Sequence, residues 1–242
     1  MFPVICHIGP VPVYSYGLML ALGVFVSSHL LARDARRIGI APDVIYDLVF
    51  WVVICGIIGA RLFYVLLNPD IFFGTPLEIL MLQKGGLAWQ GSFAGGMLAG
   101  VVFIRRHKLP LWPLLDAVAP YIALGSAIGR IGCLLNGCCY GKPAAWGLYF
   151  PVWEARLVPT QAFMSLGQLA IFIILRWFQT KKTGPGRVFV AYLLLSSVER
   201  FVIEFFRADH VLYGGLSIFQ YVCVGIFIAA LIVYKKICPR IH

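Results

Sequence analysis

Apolar residues run almost unbroken through seven stretches of this chain, near 14–32, 45–67, 87–104, 114–135, 160–178, 188–206 and 216–234, and polar residues gather between them. Each run is close to the ~20 residues an α-helix needs to cross the hydrocarbon of a bilayer. Backbone N–H and C=O groups in lipid must be satisfied within the segment, so runs of this length predict helices. The connections carry turn chemistry: Asn68-Pro69, Lys84-Gly85-Gly86, Lys108-Leu109-Pro110, Lys142-Pro143, Thr183-Gly184-Pro185-Gly186 and Tyr213-Gly214-Gly215. No repeat or linker divides the chain. The pattern therefore predicts an all-α fold, one polytopic membrane domain over residues 1–242 with seven transmembrane helices.

Composition agrees, because a chain of 242 residues that is 61% hydrophobic and 12% charged cannot hide that surface in one soluble core. The same figures exclude a disordered, solvated chain. The formal net charge of +10 is then read through topology and not as a nucleic-acid footprint. Arg33, Arg36 and Arg37 follow the first run, Arg105, Arg106 and Lys108 the third, and Arg176, Lys181, Lys182 and Arg187 surround the fifth connection. Lys235, Lys236 and Arg240 end the chain, whereas the other connections hold only Lys84, Lys142, Arg156 and Arg207. The positive-inside rule places the N-terminus outside and the C-terminus in the cytoplasm. The first run lacks a small-residue cleavage site, which predicts a retained span.

This orientation sorts the intramembrane polar residues by depth. Arg61, Arg130, Glu199, Arg200, Glu204 and Arg207 fall in the outer parts of outward-running helices, and Tyr14, Tyr16, Trp89 and Gln90 begin inward-running ones. An arginine in hydrocarbon costs on the order of 2.5 to 3.5 kcal/mol, so it needs a local reason, and an anionic phospholipid headgroup supplies one. Arg200, Glu204 and Arg207 are spaced i, i+4, i+7, which predicts a cation–anion–cation stripe on one helical face. Such a stripe suits a phosphate between arginines with the carboxylate holding a guanidinium. Plainer roles compete: Arg61 snorkelling to the interface, a structural Arg200–Glu204 pair, Tyr16 and Trp89 in an interfacial belt, and close helix packing at glycines 91, 95, 96 and 100.

Cys6, Cys133, Cys138 and Cys139 fall on the outer side by this topology, Cys55 and Cys223 lie within helices, and Cys238 is cytoplasmic. Outer thiols meet an oxidising compartment, so a Cys133–Cys138 or Cys6–Cys133 disulfide is the plain expectation. A zinc site from Cys6, His7 and Cys138-Cys139 has the wrong spacing for the common patterns. The sharper reading is a reactive thiol whose pKa is lowered by Arg130.

Over nearly its whole length the chain resembles the prolipoprotein diacylglyceryl transferase family. The resemblance rests on Ile8-Gly9-Pro10 with Tyr16-Gly17-Leu18, on Gly59-Ala60-Arg61-Leu62-Phe63-Tyr64, on Gly85-Gly86-Leu87-Ala88-Trp89-Gln90-Gly91, and on the segment from Gly129 to Gly141. Pro159-Thr160-Gln161 and the run from Arg200 to Arg207 complete it. In the family signature Gly-Arg-x-Gly-Asn-Phe-x-Asn-x-Glu-x-x-Gly, residues Gly129, Arg130, Gly132, Asn136 and Gly141 fit. Cys133 stands where the family has asparagine, Cys138 where it has glutamate, and Gln90 where the third-helix motif has histidine.

The resemblance implies transfer of a diacylglyceryl group from phosphatidylglycerol to the cysteine thiol of a lipoprotein precursor, with release of glycerol phosphate. It implies catalytic roles for Arg130, Arg200, Glu204 and Cys138, and substrate contacts at Tyr16, Arg61, Gln90, Gly91, Asn136 and Arg207. The expected partners are an anionic phospholipid, the precursor peptide and the membrane, at the outer side of a bacterial plasma membrane, with no cofactor, metal or nucleic acid. Two other readings stand beside it: a membrane thiol oxidoreductase using the outer cysteines, and a non-catalytic phospholipid-binding or transport protein.

Overall fold

The computed structural model describes residues 1–9, 11–72, 78–79, 85–181, 184–208 and 212–237. The expectations on Pro10, Lys84, Lys182, Thr183, Cys238 and Arg240 lie outside those residues. Seven long helices follow the seven apolar runs: α1 (Ser15–Ala35), α2 (Pro42–Leu67), then after a four-residue α3 (Pro69–Phe72), α4 (Trp89–Arg106), α5 (Leu111–Asn136), α6 (Thr160–Thr180), α7 (Arg187–Glu204) and α8 (Ile218–Ile237).

Five of them, α1 with the short 3-10 turn that continues it, α2, α5, α6 and α8, are long and apolar enough to cross a membrane. The other two expected spans are helical but fall short of that standard. Each has 18 residues: α4 contains Gln90, Arg105 and Arg106, and α7 contains Arg187, Glu199, Arg200 and Glu204.

Among the described residues three antiparallel ribbons are absent from the hydropathy pattern: β1 (Val4–Ile8) with β2 (Val11–Tyr14) before α1, β3 (Pro143–Phe150) with β4 (Ala155–Leu157) between α5 and α6, and β5 (Leu212–Tyr213) with β6 (Leu216–Ser217) between α7 and α8. The last turns on Gly214 and Gly215, both at positive φ (59° and 89°), the pair of left-handed residues a two-residue hairpin favours.

The chain divides into two compact units, Met1–Leu31 with Trp112–His242, and Ala32–Leu111. In the second unit α2 packs on α4 through glycines. A Cβ at Gly91 would strike the Gly59 carbonyl oxygen and the Phe63 Cβ, and one at Gly95 would strike the Cys55 carbonyl. These are the backbone approaches that small residues permit between membrane helices.

In the first unit Ala119 and Ala123 of α5 form a core with Ile171 and Leu175 of α6 and Val188 of α7. Gly23 of α1 closes on α5, where a Cβ would lie 3.0 Å from the Gly125 carbonyl oxygen. The start of α7 has no side-chain cap of its own. Asp116 of α5 provides one, its two carboxylate oxygens accepting the Gly186 and Phe189 N–H groups at 2.6 and 2.8 Å. A carboxylate there also faces the positive end of the α7 dipole. Many bulky apolar side chains, among them Phe25, Leu166, Trp177 and Ile232, point outward, as lipid-facing positions do.

Candidate active site

The site begins where α5 stops. Gly137 adopts a left-handed conformation (φ 76°), its N–H donates to the Leu134 carbonyl at 3.3 Å, and the Cys138 N–H donates to the Cys133 carbonyl at 3.2 Å. This is a Schellman ending, which brings together the side chains three residues before the cap and two after it. Here those residues are Cys133 and Cys138. Cys139 follows, also left-handed (φ 63°), and its sulfur joins theirs: the three Sγ atoms lie within 4.8 Å of one another.

Distant residues clamp this loop. Thr160 Oγ1 donates to the Cys139 carbonyl at 2.7 Å and Gln161 Nε2 to the Cys138 carbonyl at 2.5 Å, both from the first turn of α6 and both fully buried. Trp153 Nε1 donates to the Gly137 carbonyl at 3.0 Å. The Gly141 N–H donates to Val158 and the Lys142 N–H to Phe206, each at 2.8 Å. A Cβ on Gly141 would sit 2.5 Å from the Phe206 carbonyl oxygen and 2.8 Å from Val158 Cβ, so only glycine fits. The Pro159-Thr160-Gln161 motif therefore holds the signature loop, a role its sequence alone does not disclose.

The end of α7 supplies the charges. Arg200 Nη2 pairs with Glu204 Oε2 at 3.0 Å, and Arg207 Nε lies 3.9 Å from the same oxygen. The predicted stripe on one helical face is corrected in one respect: α7 ends at Glu204, and Arg207 lies beyond it, bridged to Gly141. The Arg207 N–H donates to the Glu204 carbonyl at 3.3 Å, so a tight turn continuing past the helix, together with the bridge to Gly141, keeps its guanidinium near Glu204. Ser217 Oγ donates to Glu204 Oε1 at 3.1 Å. Ser217 and Gln220 in turn form a capping box at the start of α8: the Gln220 N–H donates to Ser217 Oγ at 3.2 Å and the Ser217 N–H to Gln220 Oε1 at 2.9 Å. The Ser217-x-x-Gln220 pattern before an apolar run was the signal that would have found it.

Arg130, half-buried near the end of α5, exerts its charge on Tyr16, Cys139, Glu199 and Arg200. Glu199 accepts a hydrogen bond from Gln168. Tyr16 starts α1 above Gly132, where a Cβ would lie 3.3 Å from the Tyr16 Cα, and Asn136 hydrogen-bonds the Cys138 thiol. The first unit thus brings together Tyr16, Arg130, Asn136, Cys138, Arg200, Glu204 and Arg207. Glu199, Gln168, Thr160, Gln161, Ser217 and Gln220 join them without having been assigned from sequence.

Arg61, Gln90 and Gly91 belong to the second unit. Arg61 is buried, and its Nε and two Nη atoms donate to the carbonyls of Ile79, Gly85, Gly86 and Glu78 at 2.5 to 3.0 Å. Its guanidinium also lies 5.3 Å from the Phe72 ring centroid. These hydrogen bonds tie its guanidinium to the backbone at residues 78–79 and 85–86. Gly91 is accounted for by the packing of α2 on α4, and Gln90 sits exposed in the first turn of α4.

The six described cysteines are free thiols. Cys6 lies exposed on β1 opposite Val13, so neither the Cys6–Cys133 bridge nor the Cys6–His7 metal arrangement is formed, and Cys133 and Cys138 are neighbours without a bond. The lowered thiol pKa falls on Cys139. Hydrogen bonds from Cys133 and Cys138, together with the charges of Arg207 and Arg130, hold the Cys139 thiol far below the usual thiol range against the opposing effect of burial. At Cys138 the bond with Cys133 pulls the same way, but the bond with Cys139 and burial outweigh it and push the thiol up.

Residues 3–235 match the family model for prolipoprotein diacylglyceryl transferase. The phosphatidylglycerol–prolipoprotein diacylglyceryl transferase of Synechococcus elongatus is 36% identical over 238 residues, covering 92% of this chain and 82% of the relative. That of Bacillus cytotoxicus is 32% identical over 238 residues, covering 93% and 88%, and that of a Nostoc species 36% identical over 237 residues, covering 91% and 83%. With the match running through every long helix and the clamped loop between α5 and α6, this chain belongs to the prolipoprotein diacylglyceryl transferase family.

Proposed function

We propose that this protein transfers the diacylglyceryl group of phosphatidylglycerol to the thiol of a lipoprotein-precursor cysteine, at the outer leaflet of a bacterial plasma membrane, with seven membrane-embedded helices, the N-terminus outside and the C-terminus in the cytoplasm. The observation that carries this reading is the Arg200–Glu204–Arg207 group beside the loop that ends α5. In the reaction the S–H bond of the acceptor thiol breaks, its proton passes to the departing phosphate or to solvent, and the sulfur forms a bond to the terminal glyceryl carbon of the lipid. The carbon–oxygen bond to phosphate breaks, and glycerol phosphate leaves with the bonding electron pair. The developing charge falls on phosphate oxygens, so cationic donors aimed at them lower the barrier.

Arg130 and Arg200 are the residues for that task, with Arg207 as a further phosphate contact and Tyr16 and Asn136 lining the lipid site. Glu204 is committed to Arg200 and Ser217, which supports an orienting role over proton transfer. Cys138 acts here through the loop that it helps close.

The test is transfer of labelled diacylglycerol from phosphatidylglycerol vesicles to a lipobox peptide by purified protein. Labelled thioether product with stoichiometric glycerol phosphate is expected. Lipid turnover without dependence on the peptide thiol would overturn the acceptor, and thiol oxidation without lipid turnover would favour the oxidoreductase reading.

A further inference from the structure

We propose that Cys133, Cys138 and Cys139 are the ligands of a zinc ion. This inference rests on the thiol geometry and not on the transferase reading.

The sulfurs lie within 4.8 Å of one another. Three thiolates on one zinc, at Zn–S distances of about 2.3 Å, would be roughly 4 Å apart, so closure needs a contraction of under about 1 Å. Backbone geometry already aims the side chains. The Schellman ending pairs Cys133 with Cys138, and the left-handed backbone at Cys139 turns the third sulfur towards them. Left-handed φ is unfavourable for a residue with a Cβ, and the fully buried Thr160 and Gln161 fix the carbonyls on either side of the strained link. Interactions of that kind hold three donors in place and give the loop little freedom to disperse them.

Charge favours the same ion. Three adjacent thiolates would carry three negative charges in a partly buried place; a divalent cation leaves one, which the neighbouring guanidinium charges of Arg207 and Arg130 offset. A thiophilic d10 ion suits an all-sulfur set, whereas magnesium and calcium require oxygen. Asn136, hydrogen-bonded to the Cys138 sulfur, is an outer-shell partner of the kind that orients a ligand. Three protein ligands leave a fourth position for water. On binding, the S–H bonds of protonated thiols break, Zn–S bonds form, and the protons pass to buffer, with no change of oxidation state.

The test uses the full chain, purified in detergent under reducing conditions, loaded with zinc and dialysed. Elemental analysis is expected to give about one zinc per chain. Cadmium titration is expected to produce an ultraviolet thiolate-to-metal charge-transfer band that saturates at the same ratio. Cys138→Ser and Cys139→Ser should each lower zinc affinity by at least about tenfold in competition with a chromogenic chelator, while Cys6→Ser should leave it unchanged. Cys139 is only half-buried, so its serine variant tests the site even where Cys133→Ser fails to fold. Zinc retained at full affinity in both serine variants, no zinc above that of the triple serine variant, or a Cys133–Cys138 disulfide in protein prepared without reductant would each overturn the proposal.

Discussion

Ser217 Oγ donates to Glu204 Oε1 across 3.1 Å, so the cap of α8 holds the carboxylate that ends α7. The hydroxyl also accepts the Gln220 N–H, and one side chain therefore fixes both a helix start and the acid that positions Arg200. Ser217→Ala should cost about 1 kcal/mol as a lost cap and more through the exposed deficit at buried Glu204. Thermal unfolding in detergent should show a lowered Tm together with slower transfer, and Ser217→Thr should restore both. An alanine variant of unchanged stability and rate would refute the coupling.

Glu204→Gln removes the charge that pairs with Arg200 yet keeps an oxygen able to accept from Ser217. Transfer should fall by roughly tenfold, the equivalent of about 1.4 kcal/mol, and Glu204→Ala should fall further. The dependence of the rate on pH should keep its shape in Glu204→Gln, because an orienting residue is not the group being titrated. Abolished turnover with intact phosphatidylglycerol binding would assign it to proton transfer.

Arg130→Lys preserves a positive charge but not a planar fork. The turnover number should fall on the order of a hundredfold, as when a transition-state donor is lost, with a smaller change in KM. Steady-state kinetics with vesicle-borne substrate measures both quantities. A lysine variant with normal turnover would remove Arg130 from phosphate stabilisation.

Arg61 has a different fate, because its donors are directed to four backbone carbonyls. Arg61→Ala should destabilise the protein by several kcal/mol, since each carbonyl left unpaired away from water costs about 1 to 3 kcal/mol. Limited proteolysis should then cut between α3 and α4 faster than in the wild type. An Arg61→Ala protein as stable as wild type, with only KM for the lipid raised, would return Arg61 to the substrate site.

The order of helices and the chemistry near their ends follow from local facts. Twenty-residue apolar runs become helices because lipid offers no other partners for the backbone, and Gly137 stops α5 because it takes a left-handed turn without penalty. The Arg200–Glu204 pair follows likewise from i, i+4 spacing.

What hydropathy missed were β-ribbons only a few residues long and the lower apolarity of α4 and α7. What spacing missed depended on contacts between residues far apart in sequence. Thr160 and Gln161 pin carbonyls more than twenty positions upstream, and Arg61 donates to carbonyls 17 to 25 positions further along the chain. Burial and periodicity are written residue by residue, so the sequence by itself determined membrane character, helices and candidate charges. Which carbonyl a buried donor meets depends on how distant segments pack, and only the tertiary structure decided that.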